Sequence, residues 1–264
     1  KSPCYESSFS DVAEILSHPT NARGYDVRDV LMVPGDNEWV NCQDPDMAWR
    51  WWMKYFGNGN KRRTKIPPNI NGFGTLSDPN ITVQYDTFEP TTLSNNEYSS
   101  SSSNFAFFTN QSLFVGINQV GDGTHGDESI RVRNNFEWVK FNMAKYHSQQ
   151  MRAVVVFGHA TIVNARRQYF GLPFMKLLRM EYPEVVVLYV HGDGHTFDVN
   201  RPDVHNPNLY QLEVDGGEEA DPLLISIVHN TVKDEFSFNI DVRSGYYYRG
   251  CQTGNVDKTW SSDY

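Results

Sequence analysis

The chain has 264 residues, of which 39% are hydrophobic and 14% aromatic, which is enough to form the core of one large domain. Its formal net charge of −9 argues against a protein that binds a nucleic-acid duplex through the phosphates, and no apolar run is long enough for a transmembrane segment. A small phosphorylated substrate remains compatible with this charge, because bound metal ions supply local positive charge.

The N-terminal region predicts two helices and one buried strand. Apolar residues recur at helical spacing over residues 7–17, with a serine in front as a cap. The apolar run Val27–Val33 predicts a buried strand. The tryptophan-rich segment Met47–Phe56 predicts a short helix, and its aromatic rings are expected to pack rather than to bind a ligand.

The middle of the chain predicts a loop-rich insertion at about residues 57–112. Glycine, asparagine, proline and serine dominate most of this segment. It contains a short basic run at residues 61–65, which is either a solvated loop or a patch that steers an anionic substrate.

The remainder of the chain alternates strands and helices and then changes to strands alone. This order predicts an α/β domain, residues 1–264, with two β-sheets and helices outside them. The predicted strands are Leu113–Val120, Ala153–Phe157, Val185–Val190, Leu209–Val214, Leu223–Val228 and Phe236–Val242, and the predicted helices are Arg131–His147 and Ala165–Tyr182, the latter kinked at Pro173.

Cysteines and glycosylation sequons favour an exported protein. Three cysteines are too few for a disulfide scaffold, so one bridge is predicted, most simply Cys4–Cys42, which leaves Cys251 free or paired outside this chain. Sequons of the form Asn-x-Ser/Thr occur at Asn80 and Asn110. Lys1 does not resemble a natural start, and we expect the chain to be processed or incomplete at its N-terminus.

Three predicted strands each end in a glycine that is flanked by side chains able to bind a metal. The glycines are Gly35, Gly158 and Gly192, and the side chains beside them are Asp36, Asn37, Glu38, His159, His191, Asp193 and His195. Residues 34–38 alone favour a simple turn, and a single strand-end histidine is usually a surface residue. The repetition instead favours a metal site at the carboxyl edge of a sheet, with oxygen and nitrogen donors that suit Mn, Fe or Zn.

These motifs resemble those of the calcineurin-like metallophosphoesterases. Residues 33–39, VPGDNEW, resemble the family's Gly-Asn-His-Glu/Asp segment, Gly158-His159 its single-histidine motif, and residues 192–197, GDGHTF, its Gly-His-x-His motif. Residues 133–160 resemble the helix, with its tryptophan, that leads into the histidine strand. Pro3-Cys4 together with Cys42 resembles a secreted or periplasmic branch of the family. The resemblance covers about residues 1–42 and 113–200.

The resemblance implies a fold and a set of site residues. The fold would be an α-β-β-α sandwich, in which two mixed sheets pack face to face between flanking helices. Two metal ions, Fe, Mn or Zn, would be held by Asp36, His159, Asp193 and His195. Asn37 stands at the family's catalytic histidine and, because an amide does not titrate, would orient the phosphate by a hydrogen bond. His191 would support the metal ligands from behind or donate a proton to the leaving group, or else would be a surface histidine.

The function implied is hydrolysis of a small phosphate ester, either a monoester or a diester, in a secreted, periplasmic or other oxidising compartment. Asp36 and Asp193 replace an asparagine and a histidine of the family, and both remain sound metal ligands. The family's opening Asp-x-His and Gly-Asp motifs do not precede Lys1 in this sequence. The alternative is a non-catalytic binding or surface protein that retains the fold with a degenerate site.

Overall fold

The structure is a computed structural model, and it describes most of the chain outside the insertion. The described residues are 3–17, 31–56, 82–83, 103–120, 128–163, 167–215, 223–241, 247–251 and 259–261. The basic run 61–65 and the sequon at Asn80 lie outside them, as does most of the predicted insertion.

Four helices are present in this part of the chain: α1 (Glu6–Ser17), α2 (Pro45–Tyr55), α3 (Glu128–His147) and α4 (Gly171–Glu181). Helix α2 begins where its sequence favours a start, because the Asp44 side chain accepts a hydrogen bond from the backbone N–H of Met47 at 3.0 Å and Pro45 follows. Helix α4 begins at Gly171, six residues later than predicted. Pro173 therefore lies in its first turn, where a missing N–H leaves no acceptor unpaired, and the predicted kink within the helix is wrong.

The larger sheet has seven strands and is mixed. Its strands are β1 (Thr82–Val83), β2 (Phe105–Thr109), β3 (Ser112–Gly116), β4 (Ala153–Phe157), β5 (Val186–His191), β6 (Asp198–Asn200) and β7 (Leu209–Glu213), in the order β1-β2-β3-β4-β5-β7-β6. Strands β3, β4, β5 and β7 are parallel, and the outer strands run antiparallel to their neighbours. The carboxyl ends of the four parallel strands therefore meet at one edge.

The smaller sheet has four strands in the described part of the chain: β8 (Leu224–Asn230), β9 (Glu235–Asp241), β10 (Tyr247–Cys251) and β11 (Thr259–Ser261). Their order is β11-β10-β9-β8, and every pair is antiparallel. The prediction of two mixed sheets is thus wrong for this one, because strands joined by a short turn such as residues 231–234 pair in antiparallel fashion.

Two apolar clusters place the large sheet between the helices and the small sheet. Val154 and Tyr189 point to the helical side, where they belong to the cluster that includes Phe174 of α4. Val155 belongs to the opposite cluster, together with Phe238 of β9. Successive side chains of a strand point to opposite faces, so a strand covered on both faces has a continuous apolar sequence. This explains why the central strands were predictable.

Several observed strands differ from the predicted ones. The described end of the predicted strand Val27–Val33, residues 31–33, is not in a strand, and the rest lies outside the described residues. Phe105–Thr109 forms β2 inside the range predicted to be loop-rich. Strand β2 reaches β3 through a two-residue turn in which Asn110 and Gln111 have φ angles of 47° and 60°, as a type I′ hairpin requires. Asn110 is exposed there, and its glycosylation stays a prediction. The short strands β1, β6, β10 and β11 were also not predicted.

A disulfide and an aromatic cluster fix the N-terminal segment. Cys4 and Cys42 are disulfide-bonded, as predicted, with a Cα–Cα distance of 5.5 Å. In the chain-entropy model a closed loop of this size stabilises the fold by about 4 kcal/mol. Trp39 lies 4.3 Å from Trp49, centroid to centroid, and Trp49 stacks on Trp52 at 5.2 Å, so these rings pack as predicted. The side chain of Cys251 is outside the described part of the structure.

Candidate metal centre

Asp36, His159 and Asp193 converge at the carboxyl edge of the large sheet. The Nε2 atom of His159 lies 3.0 Å from Oδ1 of Asp36 and 3.3 Å from Oδ1 of Asp193. One ligand atom from each of the three side chains lies within 4.8 Å of the others. The side chains are 20%, 17% and 35% exposed respectively, so the cluster is partly buried yet open to solvent on the side of Asp193.

Backbone hydrogen bonds fix His159 and tie it to the loop that carries Asp193. The N–H groups of His159 and Ala160 both donate to the carbonyl of Gln119, at 2.9 and 2.7 Å. The carbonyl of His159 in turn accepts from the N–H groups of Gly192 and Asp193, each at 3.2 Å. The segments after β3, β4 and β5 are therefore bonded to one another beyond the sheet, which places His159 and Asp193 side by side.

The turn after Gly35 holds Asp36 in place from the other side. The Asp36 carbonyl accepts from the N–H groups of Trp39 and Asn41, at 3.1 and 2.9 Å. Oδ2 of the Asp36 carboxylate accepts from the side-chain amide of Asn41 at 2.8 Å. These three bonds fix the carboxylate with Oδ1 directed at His159. Residues 34–41 are therefore a turn, and this turn positions the Asp36 carboxylate in the cluster.

The electrostatics of the cluster favour a cation. Two carboxylate oxygens approach the same imidazole nitrogen, which carries at most one proton. A single proton bonds well to only one of those oxygens, and the two carboxylates repel each other. A divalent ion attracts both carboxylates and accepts the imidazole lone pair, and one nitrogen with two oxygens is a donor set that suits Zn, Mn or Fe. The residues present therefore fit a metal ion.

His191 lies outside this cluster and is buried. Its side chain is 3% exposed, and neither ring nitrogen has a hydrogen-bond partner among the described residues. Burial, helped by the nearby His159, lowers the pKa of His191 from 6.5 to about 4, although Asp198 acts in the opposite direction. His191 is therefore neutral at pH 7, which disfavours the predicted role as a proton donor to the leaving group.

The pKa of His191 predicts a loss of stability in acid. Between pH 6.5 and about 4 the unfolded chain binds a proton at His191 and the folded chain does not, so the free energy of unfolding should fall as the pH is lowered through this window. A shift of this size corresponds to about 3 kcal/mol. We expect the free energy of unfolding of His191→Leu, measured with urea in the presence of chelator, to fall less between pH 7 and pH 4 than that of the parent. The difference between the two decreases should be about 3 kcal/mol. Equal losses in the two proteins would contradict the prediction.

The remaining predicted site residues lie at the border of the cluster or outside it. Asn37 follows Asp36, is exposed, and accepts a 3.4 Å hydrogen bond on Oδ1 from Asn41. His195 is exposed, has a φ angle of 57°, and does not join the metal-ligand cluster. The preceding Gly194 passes so close to the Glu213 carboxylate that a Cβ atom would overlap it.

Two residues that support the site were missed. Gln119 was predicted to lie inside a strand, but that strand ends at Gly116. The Gln119 carbonyl instead accepts hydrogen bonds from the N–H groups of His159 and Ala160. Asn41 carried no signal of its own, since asparagine is common in turns.

Comparisons with protein-family models, with curated proteins and with solved structures found no match. No helix in the described residues is long and apolar enough to cross a bilayer.

Proposed function

We propose that this protein is a metal-dependent hydrolase of small phosphate esters, with Asp36, His159 and Asp193 as ligands of a divalent ion. The observation that carries the proposal is the convergence of these three side chains at the carboxyl edge of a parallel sheet region. In open α/β sheets this edge is where ligands bind. The motif resemblance to calcineurin-like metallophosphoesterases supports the same residues, and the two packed sheets with α3 and α4 on one side are compatible with that family's α-β-β-α sandwich.

The three ligands leave room for the chemistry that a phosphoesterase needs. Catalytic metal sites commonly use three protein ligands and keep further positions for water and substrate. A bound ion would supply hydroxide near neutral pH and charge stabilisation for the phosphoryl group. Asn37, exposed beside Asp36, would donate a hydrogen bond from Nδ2 to a phosphate oxygen. The cluster accounts for one ion, so a second ion of the dinuclear centre implied by the family would need additional ligands.

The charge of the site makes the proposed activity strictly dependent on metal. Two carboxylates beside a phosphate dianion repel it, and the formal charge of the whole chain is −9. Without a cation the two carboxylates of the cluster therefore only repel the substrate. We further propose an oxidising compartment, because the Cys4–Cys42 disulfide persists under such conditions.

The test uses the full chain after chelation and back-titration with Mn²⁺ or Zn²⁺. We expect calorimetry to show binding, and hydrolysis of an aryl phosphate monoester or bis(aryl) diester to appear with the metal and to disappear with chelator. Asn37→Ala should keep the metal affinity of the parent and lose mainly rate. A parent chain that binds neither ion, or that hydrolyses neither ester when loaded, would refute the proposal.

A second candidate is a metal-binding protein of the same fold without hydrolase activity. It is favoured by the position of His195 outside the cluster, which leaves three ligands where the motif resemblance implies four. Stoichiometric metal binding without hydrolysis of either aryl ester would support this candidate over the hydrolase.

A further inference from the structure

A set of buried side-chain amides lies directly behind the candidate metal centre. We call it the buried amide network, and its members are Asn104, Asn118, Gln119 and Asn135. Each of these residues is at most 1% exposed. They come from the residue before β2, from the segment after β3, and from α3. Burying an amide is unfavourable unless it is hydrogen-bonded, so such a set needs a specific arrangement of partners.

Asn135 occupies the centre of the network. Its Nδ2 atom donates to the backbone carbonyl of Asn118 at 2.7 Å and lies 3.3 Å from Oε1 of Gln119. Its Oδ1 atom accepts from Nδ2 of Asn104 at 3.0 Å. Oδ1 of Asn104 accepts from the backbone N–H of Asn118 at 2.7 Å, which closes a ring of hydrogen bonds. Asn135 thus fixes the backbone of residues 118 and 119 relative to helix α3.

This backbone segment is what holds the histidine of the metal centre. The Gln119 carbonyl receives the N–H groups of both His159 and Ala160, at 2.9 and 2.7 Å. A displacement of residues 118–119 therefore moves the acceptor on which the His159 segment depends. If the His159 imidazole is displaced in this way, its Nε2 atom no longer lies close to the carboxylates of both Asp36 and Asp193.

Arg131, one helical turn before Asn135, extends the support to the other side of the centre. Nη1 of Arg131 donates to the carbonyl of Asn118 at 2.7 Å, and its guanidinium lies 5.0 Å above the ring of Trp39. The N–H of Trp39 donates to the carbonyl of Asp36 at 3.1 Å. Helix α3 is therefore linked to both halves of the centre, to the Asp36 turn through the Arg131–Trp39 contact and to the His159 segment through Asn135 and residues 118–119.

We propose that Asn135 is a positioning residue of the metal centre: its side-chain amide fixes residues 118–119 and thereby the place of His159. The consequence for metal affinity rests on the proposed function, whereas the consequence for the His159 backbone does not. Outer hydrogen-bond partners of metal ligands typically change affinity by about 10–100-fold when they are removed.

The chain offers a matched control on the same helix. Asn142 is also fully buried, and its Nδ2 atom donates to the carbonyl of Trp138 at 2.9 Å within α3, away from the His159 segment. We compare Asn135→Leu with Asn142→Leu, and we add Asn135→Asp, which keeps an acceptor for Asn104 and loses the amide donor, in case the leucine variant does not fold. The readouts are hydrogen exchange of the His159 and Ala160 amides by NMR, and Mn²⁺ affinity by calorimetry.

After correction for global stability, we expect the Asn135 variants to exchange the His159 and Ala160 amides at least about tenfold faster than the parent and to bind Mn²⁺ at least about tenfold more weakly. Asn142→Leu should leave both quantities within about twofold of the parent values. Retained protection of these two amides in the Asn135 variants, or equal acceleration in Asn142→Leu, would overturn the proposal. If the parent binds no Mn²⁺, the proposed function fails, and the exchange comparison still decides the positioning role.

Discussion

His159→Ala is expected to weaken Mn²⁺ binding by about 100-fold or more and to abolish metal-dependent ester hydrolysis, while the protein remains folded. The substitution removes the one nitrogen that meets both carboxylates, at 3.0 and 3.3 Å. The loss should exceed the range of about 10–100-fold that removal of an outer hydrogen-bond partner causes. Calorimetry on chelated, refilled protein measures the affinity, and the aryl phosphate assay measures the rate.

The same variant separates metal binding from folding. A metal that binds only the folded state stabilises it by about 2.7 kcal/mol at a free concentration one hundred times the Kd. The parent should therefore gain about this much free energy of unfolding on addition of Mn²⁺, and His159→Ala should gain none at the same concentration. Without metal the two proteins should differ by no more than about 1–2 kcal/mol, since the His159 side chain is 17% exposed.

His195→Ala is the matched control, because His195 is exposed and lies outside the cluster. It should keep the metal affinity and the Mn²⁺-induced stabilisation of the parent. Loss of metal in His195→Ala equal to that in His159→Ala would instead support the four-ligand set predicted from the motif resemblance. Unchanged metal binding in His159→Ala would remove the basis for a metal centre at this position.

The approach of His159 to Asp193 was predictable because it depends on sheet geometry, whereas Asp36 follows residues 31–33, which are not in a strand. Strand β4 was predicted with the bounds it has, Ala153–Phe157, since both of its faces are covered and its sequence is apolar throughout. The end of β5 was predicted to within one residue for the same reason. Once two neighbouring strands are parallel, the residues after them must lie at the same edge, and this rule brings His159 and Asp193 together.

The position of His195 was not predictable in this way. Asp193 and His195 are two residues apart in a short loop, and spacing alone does not say which of them turns inwards. The hydrogen bonds of the Gly192 and Asp193 N–H groups to the His159 carbonyl decide this point, together with the positive φ angle at His195. Both belong to tertiary structure, and neither leaves a sequence pattern.

The buried amide network was missed for a related reason. Asn104, Asn118 and Asn135 are far apart in sequence, and each alone is a residue type that is mostly exposed. They can be buried because they are hydrogen-bonded to one another, at 2.7 to 3.0 Å.

The strand Phe105–Thr109 was not predicted because it follows directly on the polar, loop-rich segment. Strands of three residues, such as β6 and β11, are too short to show any periodicity.

Gly158→Ala should disrupt the metal centre without removing a ligand. A Cβ atom on Gly158 would lie 2.7 Å from the hydroxyl oxygen of Tyr189 and 3.0 Å from Cβ of Gln119. Tyr189 is fully buried, so its ring has no room to swing away, and its hydroxyl donates to the carbonyl of Ala160 at 2.7 Å. We expect a loss of about 1–3 kcal/mol in the free energy of unfolding from overpacking, and weaker Mn²⁺ binding because residues 159–160 are displaced.

Tyr189→Phe tests whether the hydroxyl is the cause. Alone it should destabilise by about 1 kcal/mol, because it removes the hydrogen bond to the Ala160 carbonyl. Combined with Gly158→Ala it should restore part of the lost stability and metal affinity, since the ring carbon that remains would lie 3.4 Å from the new methyl group, an ordinary contact. A favourable coupling of about 0.5 kcal/mol or more in the double-mutant cycle is therefore expected. Additive losses would mean that the contact with Gln119, rather than that with Tyr189, sets the requirement for glycine at this strand end.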